Sequence, residues 1–567
     1  MKHPLFQNKI SILLLGAFLL LQTNTKLLAT NTSLNKDKKN ALKRINALKV
    51  NQAPRIDGIL DDLIWENAQT ITGFTSFEPN PNTSPSQETE VKVAYDNLAI
   101  YFGAHLRDEV ADSILKQVGL RDSFNNTNAD YFGVFLDTYN DNQNAFGFIV
   151  SASDAQSDIK YSTTNEDLSW DAVWFSKARI TDDGWVVEIK IPYSAIRFPE
   201  KISQNWGIGF MRQIRRNRER MMWNDYDPTQ EGFVNQFGTL ENLSGIEPPM
   251  RLSITPYLST YYETYTDKNN PTNNYNNYDV RGGMDLKYGI NESFTLDMAL
   301  IPDFGQVRSD DQVLNLSPFE VRFDENRPFF MEGTELFSKA NLFYSRRIGG
   351  QPINYWSAYD EVNDEAGEAL VGNPSSAKLL NATKISGRTK GNVGLGFFNA
   401  VTGNTYATIE NEAGEQRKVL TNPLSNYNIV VVDKALKNRS YISLINTNVM
   451  RQGSAYDANV TGTDFNLATK NNRFALSGTA ALSQIIDSGE NDMGYSYALK
   501  VGKVSGNFQY NVWHGIESDR YNPNDLGFLY NNNTITQGIT LRYNIYEDFG
   551  AFNSLFSDFS LSHEMLY

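Results

Sequence analysis

From Val280 to Leu300 the chain alternates apolar and polar residues with a period of two. Val280, Met284, Leu286 and Tyr288 share one parity, and Arg281, Gly283, Asp285 and Lys287 share the other. Beyond the turn Gly289-Ile290-Asn291-Glu292, residues Phe294, Leu296, Met298 and Leu300 stand against Thr295, Asp297 and Ala299. Side chains alternate faces along a strand, so the pattern predicts a hairpin with one apolar and one polar face. Val280–Tyr288 has the length of a tilted bilayer-crossing strand, roughly 9–11 residues. Further candidates are Leu252–Tyr265, Val393–Phe397, Phe474–Leu482, Tyr495–Val501, Phe508–Val512 and Ile539–Ile545. Their alternation predicts roughly ten to twelve strands. The polar face carries charge, as a wet lumen allows, and Tyr265–Asn277 and Ser483–Met493 read as long Asn/Asp/Gly-rich loops. Residues 250–567 are therefore expected to form an antiparallel β-barrel of the outer-membrane type, interrupted by a segment at 302–349.

Ahead of this region the strands are shorter and closer together. Glu90–Tyr95 with Ala99–His105, then Tyr131–Leu136, Ala145–Ser151, Ala172–Ile180, Gly184–Ile191 and Gly207–Arg212, are separated by turn signals. That spacing predicts an antiparallel β-sandwich over 46–245, so the chain is all-β. Gly245-Ile246-Glu247-Pro248-Pro249 marks the boundary. Residues 30–45 are Asn/Lys-rich and aperiodic, which predicts a flexible linker. Lys9 followed by the apolar run Ile10–Leu21 reads as a secretory signal peptide, 1–29, with cleavage near Ala29. The run falls short of a spanning helix, which needs about 20 apolar residues.

Composition supports this picture. The chain has 567 residues, 12% of them aromatic with 29 Tyr and 33 Phe, a mix that suits strands and interfacial girdles. There is no cysteine, which excludes disulfides, thiol catalysis and cysteine metal sites. His3, His105, His514 and His563 are too scattered to suggest a histidine metal cluster or catalytic triad. The net charge of −15 argues against a nucleic-acid partner.

Several pieces of the first half resemble the family 9 carbohydrate-binding modules in the right order. They are Ile56-Asp57-Gly58 with Trp65, Val93-Ala94-Tyr95-Asp96 with Ile100-Tyr101, and Asp130-Tyr131-Phe132-Gly133-Val134-Phe135-Leu136-Asp137. Trp185-Val186-Val187-Glu188 with Ile191-Pro192, and then Phe237-Gly238, complete the set. The resemblance implies a sandwich that binds oligo- or polysaccharides. Sugar-binding members clamp a terminal sugar between two tryptophans, because an aromatic face covers the apolar face of a pyranose. At the corresponding places this chain has Asn126-Thr127-Asn128 and Glu231-Gly232-Phe233-Val234, and Gly133 replaces an acid in mid-strand. The clamp therefore does not carry over. Trp170, Trp174 and Trp223, with Asp130 and Arg212, remain as carbohydrate-binding candidates, against the plainer reading that the tryptophans fill the core. Asp130, Asp137, Asp154 and Asp158 offer oxygen ligands of the kind Ca²⁺ takes, or else sit as solvated turn acids. No other cofactor is expected. The run Arg212, Arg215, Arg216, Arg218 and Arg220 either meets an anionic ligand or pairs with the chain's own carboxylates.

The segment 302–349 carries Asp303, Gln306, Arg327-Pro328-Phe329-Phe330, Glu332 and Ser345-Arg346-Arg347-Ile348-Gly349. These residues resemble an envelope family in which a family-9-like sandwich precedes an outer-membrane barrel. The resemblance implies an architecture rather than a reaction, and such chains usually run further than Tyr567. It implies outer-membrane lipid around the barrel, envelope proteins as further partners, and a sandwich on the periplasmic or outer side. The leading expectation is a non-catalytic outer-membrane protein that captures or takes up glycans for carbohydrate catabolism. A glycoside hydrolase using acids among Asp310, Asp311, Glu320, Glu325, Glu332 and Glu335 is one alternative. A structural or export component of the envelope is the other.

Overall fold

The computed structural model describes residues 42–567, apart from residues 163–165, 169, 248, 250, 267–273, 292, 303–309, 311, 332, 390, 488, 548–549 and 551. The expected signal peptide, 1–29, and residues 30–41 of the expected linker lie outside the described residues. Two sheets pack face to face between Arg44 and Ser244. One is five-stranded, in the order Phe175–Thr181, Gly184–Pro192, Ala99–Arg107, Thr89–Tyr95 and Leu48–Lys49. The other is nine-stranded. Its main path runs Arg44–Asn46, Gly238–Ser244, Ser203–Ile214, Tyr131–Asp137, Ala145–Ser151, Gln156–Tyr161 and Glu166–Asp167. Arg44 and Ile45, expected within a flexible linker, instead belong to a strand, because Arg44–Asn46 pairs in parallel with Thr239–Glu241. Ile45, buried on that edge strand, holds it there.

The core between the sheets holds Phe102, Phe132, Phe148, Trp185, Trp206 and Phe210. Burying each such side chain contributes roughly 1.5–3 kcal/mol. The outer faces are covered too. Trp65 and Tyr101 pack beneath residues 48–64 on one side. Phe77, Tyr131, Phe135, Tyr161 and Phe237 form a second apolar layer on the other.

After Arg251 comes a single antiparallel sheet of thirteen strands in chain order, from Leu252–Thr266 to Leu555–Leu566. The expected hairpin is present, with Met284 opposite Leu300 and Tyr288 opposite Leu296. Pro256 sits on the first edge strand, where its missing N–H costs no ladder bond. The two edge strands are not paired with each other among the described residues, so the sheet is open. Ser483–Met493, expected as a loop, instead continues two strands, Phe474–Asp487 and Glu490–Lys503, up to a tight turn. Backbone pairing carries these strands past the end of their apolar alternation.

The faces of this sheet are sorted unusually. Leu395, Val432 and Leu444 lie in one cross-strand row, with Phe397 and Val430 in the next. All five are exposed, Leu444 at 55%. The opposite face buries Lys384, Asp433, Ser443 and Thr447, with Asp433 at 1% exposure. Against that inner face packs the segment 327–348, through Phe330, Leu336, Phe337, Leu342 and Ile348. A three-stranded sheet, Ala369–Gly372, Thr405–Glu410 and Gln416–Asn422, stands apart from the main one. No helix among the described residues is long and apolar enough to cross a membrane.

Candidate functional site

The family-9-like motifs meet in the sandwich, and what they build is structural. Glu188, fully buried on Gly184–Pro192, accepts from the Asp57 and Gly58 amides at 2.9 and 2.8 Å and from Trp65 Nε1 at 2.9 Å. One carboxylate thereby fastens the Ile56-Asp57-Gly58 segment and its tryptophan to the sheet, which offsets the cost of burying its charge.

Gly133 faces the outer layer of the nine-stranded sheet, and a Cβ added there would stand 3.1 Å from the ring of Phe135. Phe233, in the stretch where a clamp tryptophan was expected, packs edge-on to Phe135 at 5.1 Å. It also meets Tyr161 at 5.2 Å and Phe237 at 5.1 Å. In that stretch the chain's own rings therefore pack against one another.

The tryptophan candidates divide. Trp174 and Trp223 are each 4% exposed and belong to the core, so neither presents a ring face to a sugar. Large flat side chains carry much apolar area, and here that area closes the space between the sheets. Trp170 is partly buried against Phe146 and Phe148, with ring centroids 5.0 and 5.8 Å away. Arg212 is fully buried, donating to the Glu88 and Arg107 carbonyls at 2.8 and 2.7 Å and to Thr89 Oγ1 at 3.1 Å. Burial pushes its guanidinium down to about 10. It ties the two sheets together and does not reach a surface ligand. Arg216 forms a fork to Asp108 at 2.7 and 2.9 Å, and Arg220 grips Glu78. These arginines therefore answer internal carboxylates.

The four aspartates considered for Ca²⁺ lie with separate partners. Asp130 accepts from the Arg215 amide at 2.8 Å. Asp137 caps the turn at Asn142, 2.8 Å away. Asp154 meets Lys177 at 2.7 Å, and Asp158 meets Arg121 at 2.6 Å. Among the described residues no group of acids and histidines is arranged to hold a metal.

The segment inside the large sheet is the second concentration of polar chemistry. Asp303, Gln306, Asp311 and Glu332 fall outside the described residues. Arg327 lies 4.1 Å over the ring of Phe330 and donates to the Ser345 and Ile348 carbonyls at 2.8 and 2.9 Å. Glu325 completes that clasp, 2.7 Å from Arg327 and 2.5 Å from Ser345 Oγ. Phe329 gives its carbonyl to Lys384, 2.5 Å away. Arg346 pairs with Asp310 at 2.6 Å and Arg347 with Glu320 at 2.8 Å. Each described acid of the proposed catalytic group therefore faces a cation.

Sequence reading missed the largest network. Glu335 sits between Arg388, 2.7 Å away, and Lys160 of the sandwich, 3.2 Å away. Arg388 continues to Asp433 at 2.7 Å, and Lys339 approaches Asp433 at 3.6 Å. The five residues come from the sandwich, the inner segment and two strands, so no local spacing could have signalled them.

Residues 248–567, more than half of the chain, match the family described as a domain of unknown function, DUF5916. The chain belongs to that family. Residues 56–243 match the family 9 carbohydrate-binding-like domain. No curated protein matches. Among solved structures, a family 9 carbohydrate-binding module of Caldicellulosiruptor kristjanssonii in complex with cellotriose is 19% identical. The match covers 35% of this chain and 93% of that one, with a TM-score of 0.27. The complex of such a module from the same organism with glucose gives the same identity and score over 36% and 100%. OccAB4 of Acinetobacter baumannii is 9% identical over 73% of this chain and 78% of that one, with a TM-score of 0.23.

Proposed function

We propose that this member of the DUF5916 family is a non-catalytic outer-membrane protein, its large sheet embedded in the bilayer as barrel wall and its sandwich serving glycan capture or uptake. One observation carries the membrane part: the sheet exposes Leu395, Phe397, Val430, Val432 and Leu444 together, and buries charge on its other face. A water-soluble sheet has the opposite sorting, whereas lipid is the solvent that accepts an apolar outer face over a polar interior. The carbohydrate part is supported by the family 9 match over 56–243 and by the neighbours solved with cellotriose and glucose. Phe233, packed against the chain's own rings in the stretch where a clamp tryptophan was expected, favours a second reading, an envelope structural or export component whose sandwich meets another protein.

Envelope fractionation with boiled and unboiled electrophoresis tests the first reading. It expects detergent-extracted protein in the outer membrane whose mobility shifts on boiling. Soluble periplasmic protein with no shift overturns it. Glycan-array binding by the full chain then separates capture from the structural role, which expects none.

A further inference from the structure

The inner face of the large sheet holds a cavity of about 680 Å³ that the sandwich motifs do not explain. Its size falls in the range of small-molecule sites, roughly 300–1,000 Å³. One cross-strand row forms its floor. Tyr441 stands opposite Asn466, Asn466 opposite Ser477, Ser477 opposite Lys500, Lys500 opposite Trp513, and Trp513 opposite Gly538. Neighbouring residues in a row point to the same side, so five consecutive strands deliver hydroxyl, amide, ammonium and indole groups to one line, and the sixth leaves the bare Gly538 at its end.

Trp513 is the anchor of this line. A Cβ at Gly538 would stand 2.6 and 2.8 Å from the indole atoms Cζ2 and Cε2, so the ring lies down over the bare glycine. With one face on the sheet, the other is turned to the cavity that Trp513 lines. An aromatic face bordered by amide and hydroxyl groups is what a sugar ring needs. The π-face covers its C–H side while Asn and Ser reach the equatorial hydroxyls. Asp464, which accepts from Tyr441 at 3.0 Å, adds a fixed acceptor at one end.

Two further features place the cavity on a route. It shares Asp464, Thr479, Ala498, Gly515 and Thr536 with a second cavity of about 460 Å³ that runs past Ser338 and Leu342 of the inner segment. Its wall toward the sandwich is the ion pair of Glu231 with Arg439, 3.0 Å apart. We infer that the inner face of the large sheet carries an oligosaccharide-binding site with Trp513 as its stacking platform, distinct from the ground of the family 9 clamp. The inference rests on the glycan reading above and moves the binding chemistry from the sandwich to the barrel interior.

The test uses the full chain in detergent, titrated calorimetrically with malto-, cello- and galacturono-oligosaccharides. Wild type is expected to bind at least one of them. Trp513→Ala is expected to bind it about tenfold more weakly, the change that a stacking contact of about 1.4 kcal/mol represents. Trp513→Phe, which keeps a ring, should recover most of the loss, and an unaltered boiling shift shows that each variant is folded. Binding that survives Trp513→Ala and is lost in Trp170→Ala overturns this inference and returns the site to the sandwich. No binding of any probe by wild type overturns the glycan reading itself, and this inference with it.

Discussion

A single buried carboxyl illustrates how far residue identity can mislead about role. Asp130 is fully buried, and burial pushes its carboxyl up to about 6 from an ordinary value of 3.8. Asp158, held between Arg121 and Trp174, is likewise pushed up to about 6 by burial. Because the folded state binds these protons more tightly than the unfolded chain, their contribution to stability is complete below the unfolded value. It is lost as pH rises through about 6. Asp130→Asn keeps the shape and removes the titration. Its melting temperature relative to wild type should therefore increase steadily between about pH 4 and pH 7. A difference that stays flat across that range would show that Asp130 does not titrate there. Sequence alone had offered Asp130, Trp174 and Arg212 as ligand contacts. Polar and aromatic residues in a sandwich look the same whether they face a sugar or fill a seam, and only the opposing sheet, brought in from far along the chain, decides between the two. Glu188, by contrast, lay inside a recognisable motif, and its work turned out to be fastening Trp65 and the Gly58 turn.

At the level of elements, period-two alternation was a dependable guide wherever one face was uniformly apolar. The hairpin at Val280–Leu300 and the sandwich strands around Ala99, Ala145 and Gly184 formed close to where the pattern placed them. It was silent on Ser425–Ala435, where Ile429, Val430, Val431 and Val432 make both faces apolar. The reason is visible in the packing: Ile429 and Val431 meet the inner segment's core while Val430 and Val432 point outward. That inner segment is held by its apolar contacts and by the charge network at Glu335. Replacing the carboxylate, Glu335→Gln, leaves Lys339 and Arg388 with Asp433 as their partner in this network and takes from Lys160 the carboxylate it pairs with. Breaking a buried pair on one side costs about 3–5 kcal/mol because an uncompensated charge stays behind. Limited proteolysis should then cut the 327–348 segment faster than in wild type. A second change, Lys160→Met, should restore part of the protection, since it removes the stranded cation. Equal cleavage in all three proteins would mean that the segment is held by its apolar contacts alone.

For the whole molecule the governing fact is which solvent each face was selected to meet. The sandwich is sorted for water, with aromatic layers inside and on both covered outer faces. The large sheet is sorted the other way, with charge inside and a row of leucine and valine outside. The two bodies are joined through polar contacts, among them Gln143 to the Leu436 carbonyl at 2.6 Å and Glu231 to Arg439. Leu444 decides between a lipid-facing and a water-facing outer surface, because it is 55% exposed and flanked by Val432 on the adjoining strand. If lipid covers it, Leu444→Arg costs about 2–4 kcal/mol near the middle of the bilayer. If water covers it, an exposed substitution of this kind stays within about 0.5 kcal/mol. Folding into lipid vesicles from urea, followed by the boiling shift, reads that difference directly. The expected result is a clear loss of the folded band for Leu444→Arg, with Lys434→Arg, a conservative change on the same face, leaving it intact. Equal folding of both variants would remove the bilayer from the account, because a charge in hydrocarbon has no partner to relieve it.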